Sequence, residues 1–119
     1  MRAILYARTS RADRDQLNIA GQLDLCREYA TAHGWRVVAE FHEDDVSGAA
    51  WETPEITRLL TLAEQRAFDV LVVRQLDRLA RDLAKQLFLE RQFQRAGVRL
   101  EFVLEQYADS PEGQLMKMV

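Results

Sequence analysis

Two kinds of segment alternate along the chain: short apolar runs, and longer stretches in which apolar residues recur every three or four positions. Short runs bounded by polar residues are typical of strands, and the longer period is typical of amphipathic helices. Strands are predicted at 3–8, 36–42, 69–74 and 98–104. The third run is unbroken, as expected for a strand covered on both faces. The fourth alternates with charged residues, which indicates a position near a sheet edge.

Three amphipathic helices are predicted between these strands. The first ends at His33-Gly34, and its expected buried positions are Ile19, Leu23, Cys26 and Ala30. The second starts at Thr53-Pro54-Glu55, where a capping hydroxyl precedes a proline in the first turn, and its apolar positions are Ile56, Leu59, Leu60 and Ala63. The third spans 82–96 before Gly97, with apolar Leu83, Leu87, Leu89 and Phe93. This alternation predicts an α/β fold with a mostly parallel, four- to five-stranded sheet and helices on both faces.

Composition narrows the class of protein. A chain of 119 residues with 48% apolar and 29% charged residues is expected to fold as one domain. No run is long enough to span a bilayer. Cys26 is the only cysteine, so no internal disulfide can form and a reducing cytoplasm is expected. The formal charge of -3 means that binding to nucleic acid cannot rest mainly on neutralising phosphates.

Candidate chemistry lies at the carboxyl ends of the predicted strands, where ligands meet open α/β sheets. The clusters there are Arg8-Thr9-Ser10, Glu43-Asp44-Asp45 and Asp77-Arg78 with Arg81. A serine hydroxyl needs help to act as a nucleophile, and guanidinium groups match phosphate oxygens in a forked geometry. The combination favours phosphoryl transfer. No zinc motif or phosphate-binding glycine loop is present.

Each of these residues also has an ordinary structural interpretation. Ser10 could be a turn serine, Asp77 a helix cap, and Arg78 with Arg81 a solvated helix start. A signalling receiver domain has a similar layout and is kept as an alternative. Such a domain needs an acidic pair after its first strand, where this chain has Arg8 and Ser10. If these side chains converge on one rim of the sheet, the catalytic interpretation is favoured over the structural ones.

Taken together, the motifs resemble a known family. They are Tyr6-x-Arg8-x-Ser10, Gln22, Asp44-x-x-Ser47-Gly48 and Asp77-Arg78-Leu79-x-Arg81. This set resembles the N-terminal catalytic domain of the serine recombinases, the resolvase/invertase superfamily, and is most similar to the large serine recombinases. The resemblance extends over nearly the whole chain.

The resemblance implies a mechanism for site-specific DNA recombination. Ser10 would attack a DNA phosphodiester and form a covalent 5′-phosphoserine link, followed by strand exchange and religation. Arg8, Arg78 and Arg81 would bind the scissile phosphate, and Asp77 would orient the arginines or assist proton transfer. Gln22 and Asp44 would support the site. The resemblance implies no metal or nucleotide cofactor, double-stranded DNA as partner, and self-association to dimers and tetramers in the full-length enzyme.

Two departures from the family pattern qualify these expectations. Members commonly carry an arginine immediately before the proline that opens the second helix, and Thr53 occupies that position here. A catalytically silent relative with an assembly or regulatory role is therefore kept as another alternative. The chain is also short: residues 1–108 are expected to form the catalytic domain, and 109–119 to begin a long dimerisation helix that is truncated. With no DNA-binding region, these residues alone are expected to bind DNA weakly and to recombine nothing. A bacterial or phage-encoded cytoplasmic protein is expected.

Overall fold

The computed structural model describes residues 1–9, 18–43, 53–74 and 83–104. Its strands are β1 (Arg2–Arg8), β2 (Arg36–Glu43), β3 (Val70–Val73) and β4 (Arg99–Phe102). Its helices are α1 (Ile19–Ala32), α2 (Pro54–Glu64) and α3 (Leu83–Arg95). Every strand and helix predicted for these residues is confirmed, although several ends shift by a residue or two.

The strands form one sheet in the order β2-β1-β3-β4, and each neighbouring pair is parallel. All of β3 is buried, as its unbroken apolar run predicts, and β4 lies at an edge, as its alternating pattern predicts. The predicted α/β fold with a parallel sheet is thus confirmed. Because all four strands run the same way, their carboxyl ends share one edge of the sheet.

Helices cover both faces of the sheet. On one face, α1 packs its Cys26 and Ala30 against Ala3 and Leu5 of β1. On the other, α2 and α3 pack against residues of β1 and β3 that include Ile4, Tyr6, Leu71 and Val73. The alternation of β1 side chains between the two faces is that of any pleated strand. None of the helices in the described residues is long and apolar enough to cross a membrane.

Two of the predicted helix stops are confirmed by backbone geometry. Gly34 follows α1 with φ +75°, and Gly97 follows α3 with φ +82°. Side chains with a Cβ are strained in this left-handed region, so glycine ends a helix there at little cost. Each glycine leads within two residues to the strand that follows, which fixes where β2 and β4 begin.

The buried face of α3 does not include every apolar residue named from the sequence. Leu89 and Phe93 are fully buried, but Leu87 is 54% exposed and Gln86 is buried in its place. Successive helical residues are separated by about 100°, so Leu87 and Leu89 point in opposite directions and cannot both face the sheet. Of the apolar residues named for this helix, Leu87 therefore lies outside the buried face.

The buried face of α1 is also rotated from its predicted stripe. Cys26 and Ala30 are buried as expected, but Gln22 and Tyr29 are buried with them, whereas Ile19 and Leu23 are only partly covered. A glutamine is seldom fully buried unless its carboxamide has hydrogen-bond partners. Gln22 has such partners at the end of β1, which is where the candidate site begins.

Candidate active site

Arg8 is the last residue of β1 and, within the described part of the chain, the charged residue that is buried, with 4% of its surface exposed. It pairs with Glu43, the last residue of β2, and the amide of Thr9 donates to the carbonyl of Glu43 at 3.1 Å. Strand pairing therefore continues to the carboxyl edge of the sheet. A guanidinium held there in a poorly solvated environment exerts a stronger field on a neighbouring anion than it would in water.

Gln22 of α1 fixes the backbone of Arg8. Its Oε1 accepts from the Arg8 amide at 3.2 Å, and its Nε2 donates to the Arg8 carbonyl at 3.1 Å. Among the described residues, the ladder between β1 and β3 reaches only to the pair Tyr6 and Val73. The carboxamide of Gln22 thus satisfies both the amide and the carbonyl of Arg8, as the backbone of a neighbouring strand would. It ties α1 to the end of β1, two residues before Ser10.

On the opposite face of the sheet, two hydroxyls converge on the carboxylate of Glu43. Tyr6 donates to Oε2 of Glu43 at 2.6 Å, and Thr53 donates to the same oxygen at 2.8 Å. Tyr6 is fully buried, and Thr53 is 7% exposed. Thr53 also accepts from the amide of Ile56 at 3.3 Å, so it caps α2 as predicted. The cluster joins the ends of β1 and β2 to the start of α2.

The surroundings of the Tyr6 hydroxyl shift its pKa. Burial raises the pKa of Tyr6 far above its ordinary value, and the hydrogen bond to negatively charged Glu43 raises the pKa further. The positive charge of the nearby Arg8 guanidinium acts in the opposite direction and lowers the pKa of Tyr6 somewhat. Tyr6 therefore keeps its proton at any physiological pH. The hydroxyl lies between a buried cation and a carboxylate.

A bulge in β2 helps to bring Glu43 to this face. Ala3 pairs with Val37 but Ile4 pairs with Ala39, so Val38 is an extra residue in β2. Val37 packs on the α1 side of the sheet, whereas Ala39 packs on the α2 side. A single inserted residue changes which face each later side chain occupies. Without the bulge, Glu43 would point toward α1 and away from Tyr6 and Thr53.

Among the site residues predicted from the sequence, the structure places two. Arg8 and Gln22 are brought into direct contact, although no predicted role in catalysis is tested by that contact. The other predicted residues lie outside the described part of the chain: Ser10, Asp44, Asp77, Arg78 and Arg81. The expected helix at 109–119 lies outside it as well.

Sequence reasoning placed Glu43 in an acidic cluster but gave it no part in the site. The available signal was the period of β2, because residues two apart on a strand share a face and Glu43 follows buried Phe41 at that spacing. Thr53 was considered only as a helix cap and as a substitution for arginine. Its second hydrogen bond, to Glu43, depends on how α2 docks and has no counterpart in the sequence pattern.

Comparison with known proteins agrees with the fold and the motifs. The family model described as Resolvase, N terminal domain matches residues 3–119. A protein of Bacillus subtilis (strain 168) described as a putative DNA recombinase is 32% identical over 98 residues, which is 82% of this chain. The chain spans 19% of the length of that relative.

Comparison with solved structures also finds recombinase catalytic domains. The N-terminal catalytic domain of TP901-1 integrase superimposes with a TM-score of 0.80 at 30% identity, covering 99% of this chain and 89% of that one. The C-terminal catalytic domain of ISC1926 TnpA, an IS607-like serine recombinase, gives a TM-score of 0.75 at 28% identity, with coverages of 99% and 80%. No support for a receiver domain emerges from these matches. The chain belongs to the resolvase family of serine recombinases, whose N-terminal catalytic domain it matches over almost its entire length.

Proposed function

We propose that this chain is the catalytic domain of a site-specific DNA recombinase, with Ser10 as the nucleophile. The observation that carries the proposal is the placement of Arg8. Its guanidinium is buried, and its backbone is held on both sides by Gln22 and Glu43, two residues before Ser10. A buried cation at the carboxyl edge of a parallel sheet suits a site for a single phosphate.

In the proposed reaction, one phosphate ester bond forms as another breaks. The Ser10 oxygen forms a bond to phosphorus, the bond from phosphorus to the 3′ oxygen breaks, and the 3′ oxygen leaves as a hydroxyl. The seryl proton passes to a nearby base, and the leaving 3′ oxygen takes up a proton in its place. Asp77 is proposed to assist these proton transfers or to orient the arginines. Charge that builds on the phosphoryl oxygens is stabilised by Arg8, Arg78 and Arg81. Asp44 and Gln22 complete the proposed site.

The reverse reaction rejoins DNA without an external energy source. A 3′-hydroxyl attacks the phosphoserine, a phosphodiester forms, and the serine is released. Since each step exchanges one phosphate ester for another, no metal or nucleotide is required to store the bond energy. Between cleavage and rejoining, the ends must be exchanged, which needs several subunits on one DNA complex. Dimers and tetramers of the complete protein are therefore part of the proposal.

Duplex DNA is the proposed substrate, held largely by parts of the protein other than these residues. The net charge of -3 argues against broad phosphate neutralisation by this domain. The curated relative is about five times longer than the matched region, which leaves room for such parts in a protein of that kind. A cytoplasmic location, in a bacterial or phage context, goes with this proposal.

A second candidate is a recombinase-like domain without cleavage activity. The observation in its favour is Thr53, which stands where the resemblance leads one to expect arginine and turns its hydroxyl toward Glu43. One cation at the phosphate would then be lacking. Arg58, one turn further along α2, is directed instead over the ring of Phe41 and toward Glu55.

A trapping experiment separates the two candidates. The complete gene product is incubated with nicked suicide duplexes made from genomic fragments that it binds, then denatured with detergent. The wild type is expected to give a protease-sensitive protein–DNA adduct blocked at the DNA 5′ end, and Ser10→Ala none. If the wild type binds these duplexes and yields no adduct beyond the Ser10→Ala background, the catalytic proposal is rejected in favour of the silent relative.

A further inference from the structure

We propose that Glu43 is a positioning residue, which orients Arg8 through the Tyr6 hydroxyl and is itself held by Thr53. The inference rests on the proposed function, because it concerns how the same site is held in its reactive geometry. Glu43 touches no reacting atom in this account. Its role is to fix the hydroxyl that contacts the guanidinium of Arg8.

The hydrogen bonds impose a direction on the cluster. A carboxylate can only accept, so the hydroxyls of Tyr6 and Thr53 must both donate to Glu43. Once its proton is committed to Glu43, the Tyr6 oxygen can only accept from its other neighbour. Among the described residues, that neighbour is Arg8, which lies two residues further along β1 on the same face and whose guanidinium can only donate. Each group thus has a single allowed role, and the order Thr53 to Glu43 to Tyr6 to Arg8 follows.

Burial makes the order rigid. Tyr6 is fully covered, Arg8 is 4% exposed and Thr53 is 7% exposed, whereas Glu43 is partly buried, so water has limited access to these hydrogen bonds. In a poorly solvated cluster, hydrogen bonds to a charged acceptor are short and strong. The 2.6 Å distance between the Tyr6 hydroxyl and Glu43 is of that kind. Strand pairing of Arg8 with Glu43 keeps the two backbones in register, so the side chains meet on one face.

Thr53 adds no charge to this cluster. An arginine at position 53 would bring a positive charge to this part of the cluster. Threonine contributes a hydrogen bond and no charge, so Thr53 leaves the negative charge of Glu43 in place beside the Tyr6 hydroxyl. In this chain the Glu43 carboxylate is therefore available to hold the Tyr6 hydroxyl beside Arg8. The substitution that first suggested a weakened site instead gives Glu43 its positioning role.

The test compares cleavage by Glu43→Ala, Glu43→Gln and the control Glu40→Gln in the complete protein. Glu40 lies on the same strand but pairs with exposed Arg27, outside the cluster. Cleavage is followed as the single-turnover rate of adduct formation on a nicked duplex at saturating protein, with the dissociation constant for the duplex measured separately. Glu43→Ala is expected to slow adduct formation by about tenfold to a hundredfold, with binding unchanged, as for other residues that orient active-site groups.

The conservative variant distinguishes positioning from general stability. A glutamine oxygen can still accept from both hydroxyls, so Glu43→Gln is expected to restore the rate to within a few-fold of wild type, and Glu40→Gln to match wild type. The double variant Tyr6→Phe with Glu43→Ala should be no slower than Tyr6→Phe alone, because Glu43 acts through that hydroxyl. Additive losses, or equal rates for Glu43→Ala and Glu40→Gln, would overturn the proposal. If Glu43→Ala does not fold, Tyr6→Phe alone supplies the test, because it removes the hydroxyl through which Glu43 acts. It should slow adduct formation as much as is expected of Glu43→Ala, and a rate equal to that of Glu40→Gln would overturn the proposal.

A second measurement does not depend on cleavage. In the chain labelled with carbon-13 at tyrosine Cζ, the chemical shift of Tyr6 Cζ is measured at neutral pH by nuclear magnetic resonance without DNA, because this shift depends on the hydrogen bonds of the phenol. Glu43→Gln is expected to move the Tyr6 resonance, and Glu40→Gln to leave it unchanged. If the wild type forms no Ser10-dependent adduct, the proposed function fails while this measurement still tests the contact. An unmoved Tyr6 resonance in Glu43→Gln rejects the contact even where cleavage is observed.

Discussion

Replacing Gln22 by alanine provides a direct test of how the end of β1 is held. The carboxamide makes hydrogen bonds to the amide and the carbonyl of Arg8, and it is fully buried. Loss of the partner of a buried polar group costs about 1–3 kcal/mol, so losing both contacts costs about 2–6 kcal/mol. Alanine is the better helix former by a few tenths of a kcal/mol, and water that enters the space lowers the loss. A destabilisation of about 3 kcal/mol is therefore expected.

The matched control is Gln94→Ala on α3. Gln94 is also helical but exposed, so the two variants share the same gain in helix propensity and differ in burial and hydrogen bonding. Surface changes of this kind stay within about 0.5 kcal/mol of wild type. Urea unfolding followed by circular dichroism measures both. For a domain of this size, the expected loss in Gln22→Ala lowers the melting temperature by about 12 °C, at about 4 °C for each kcal/mol.

A third variant examines the donor half of the contact. Gln22→Glu retains an acceptor for the Arg8 amide but, when ionised, points an oxygen at the Arg8 carbonyl. When protonated, the carboxyl can donate to that carbonyl and again resembles the amide. Gln22→Glu should therefore lose stability at neutral pH and recover part of it as the pH is lowered toward 4. A difference of less than about 1 kcal/mol between Gln22→Ala and Gln94→Ala would refute the assigned role of the two contacts.

Three further outcomes are expected. Thr53→Ala should lower the free energy of unfolding by about 1–2 kcal/mol in urea titrations, through loss of the α2 cap and of the bond to Glu43, and Thr53→Ser should not. Burial raises the pKa of the Cys26 thiol to about 12 from 9.0, so its contribution to stability is full below pH 9 and declines as pH rises toward 12. Its reaction with a disulfide reagent at pH 8 should be far slower in the native than in the denatured protein, and equal rates would contradict the burial. Leu89→Ala should cost about 2–4 kcal/mol in the same urea assay and Leu87→Ala less than about 0.5 kcal/mol; similar losses would mean that α3 is rotated.

The sequence determined the elements and their order, because they depend on local patterns. The period of apolar residues, the cap at Thr53 and the glycines at 34 and 97 are properties of short segments, and each is confirmed in the structure. The parallel direction of the strands was also expected, since alternating strands and helices favour a parallel sheet, whereas their order in the sheet came from the structure. The motifs around Arg8 were sufficient to indicate the family to which the chain belongs.

Which face each residue occupies was decided only by the tertiary structure. The stripe on α1 was expected at Ile19 and Leu23, yet Gln22 is the buried residue, because a polar group at the end of β1 offers its carboxamide two partners. Such compensation depends on residues distant in sequence and cannot be read from a helical period. Leu87 is the converse case: it is apolar, but the docking of α3 leaves it exposed, so residue type alone does not predict burial.

The contacts of Glu43 illustrate both contributions. Its place at the end of β2 follows from the sequence, which also identifies Tyr6 as part of a motif and Thr53 as a cap. That these three side chains meet requires the bulge at Val38, the pairing of β1 with β2 and the docking of α2. Local propensities specify where strands and helices form, but hydrogen bonds between distant residues exist only once packing has brought those residues within reach of one another.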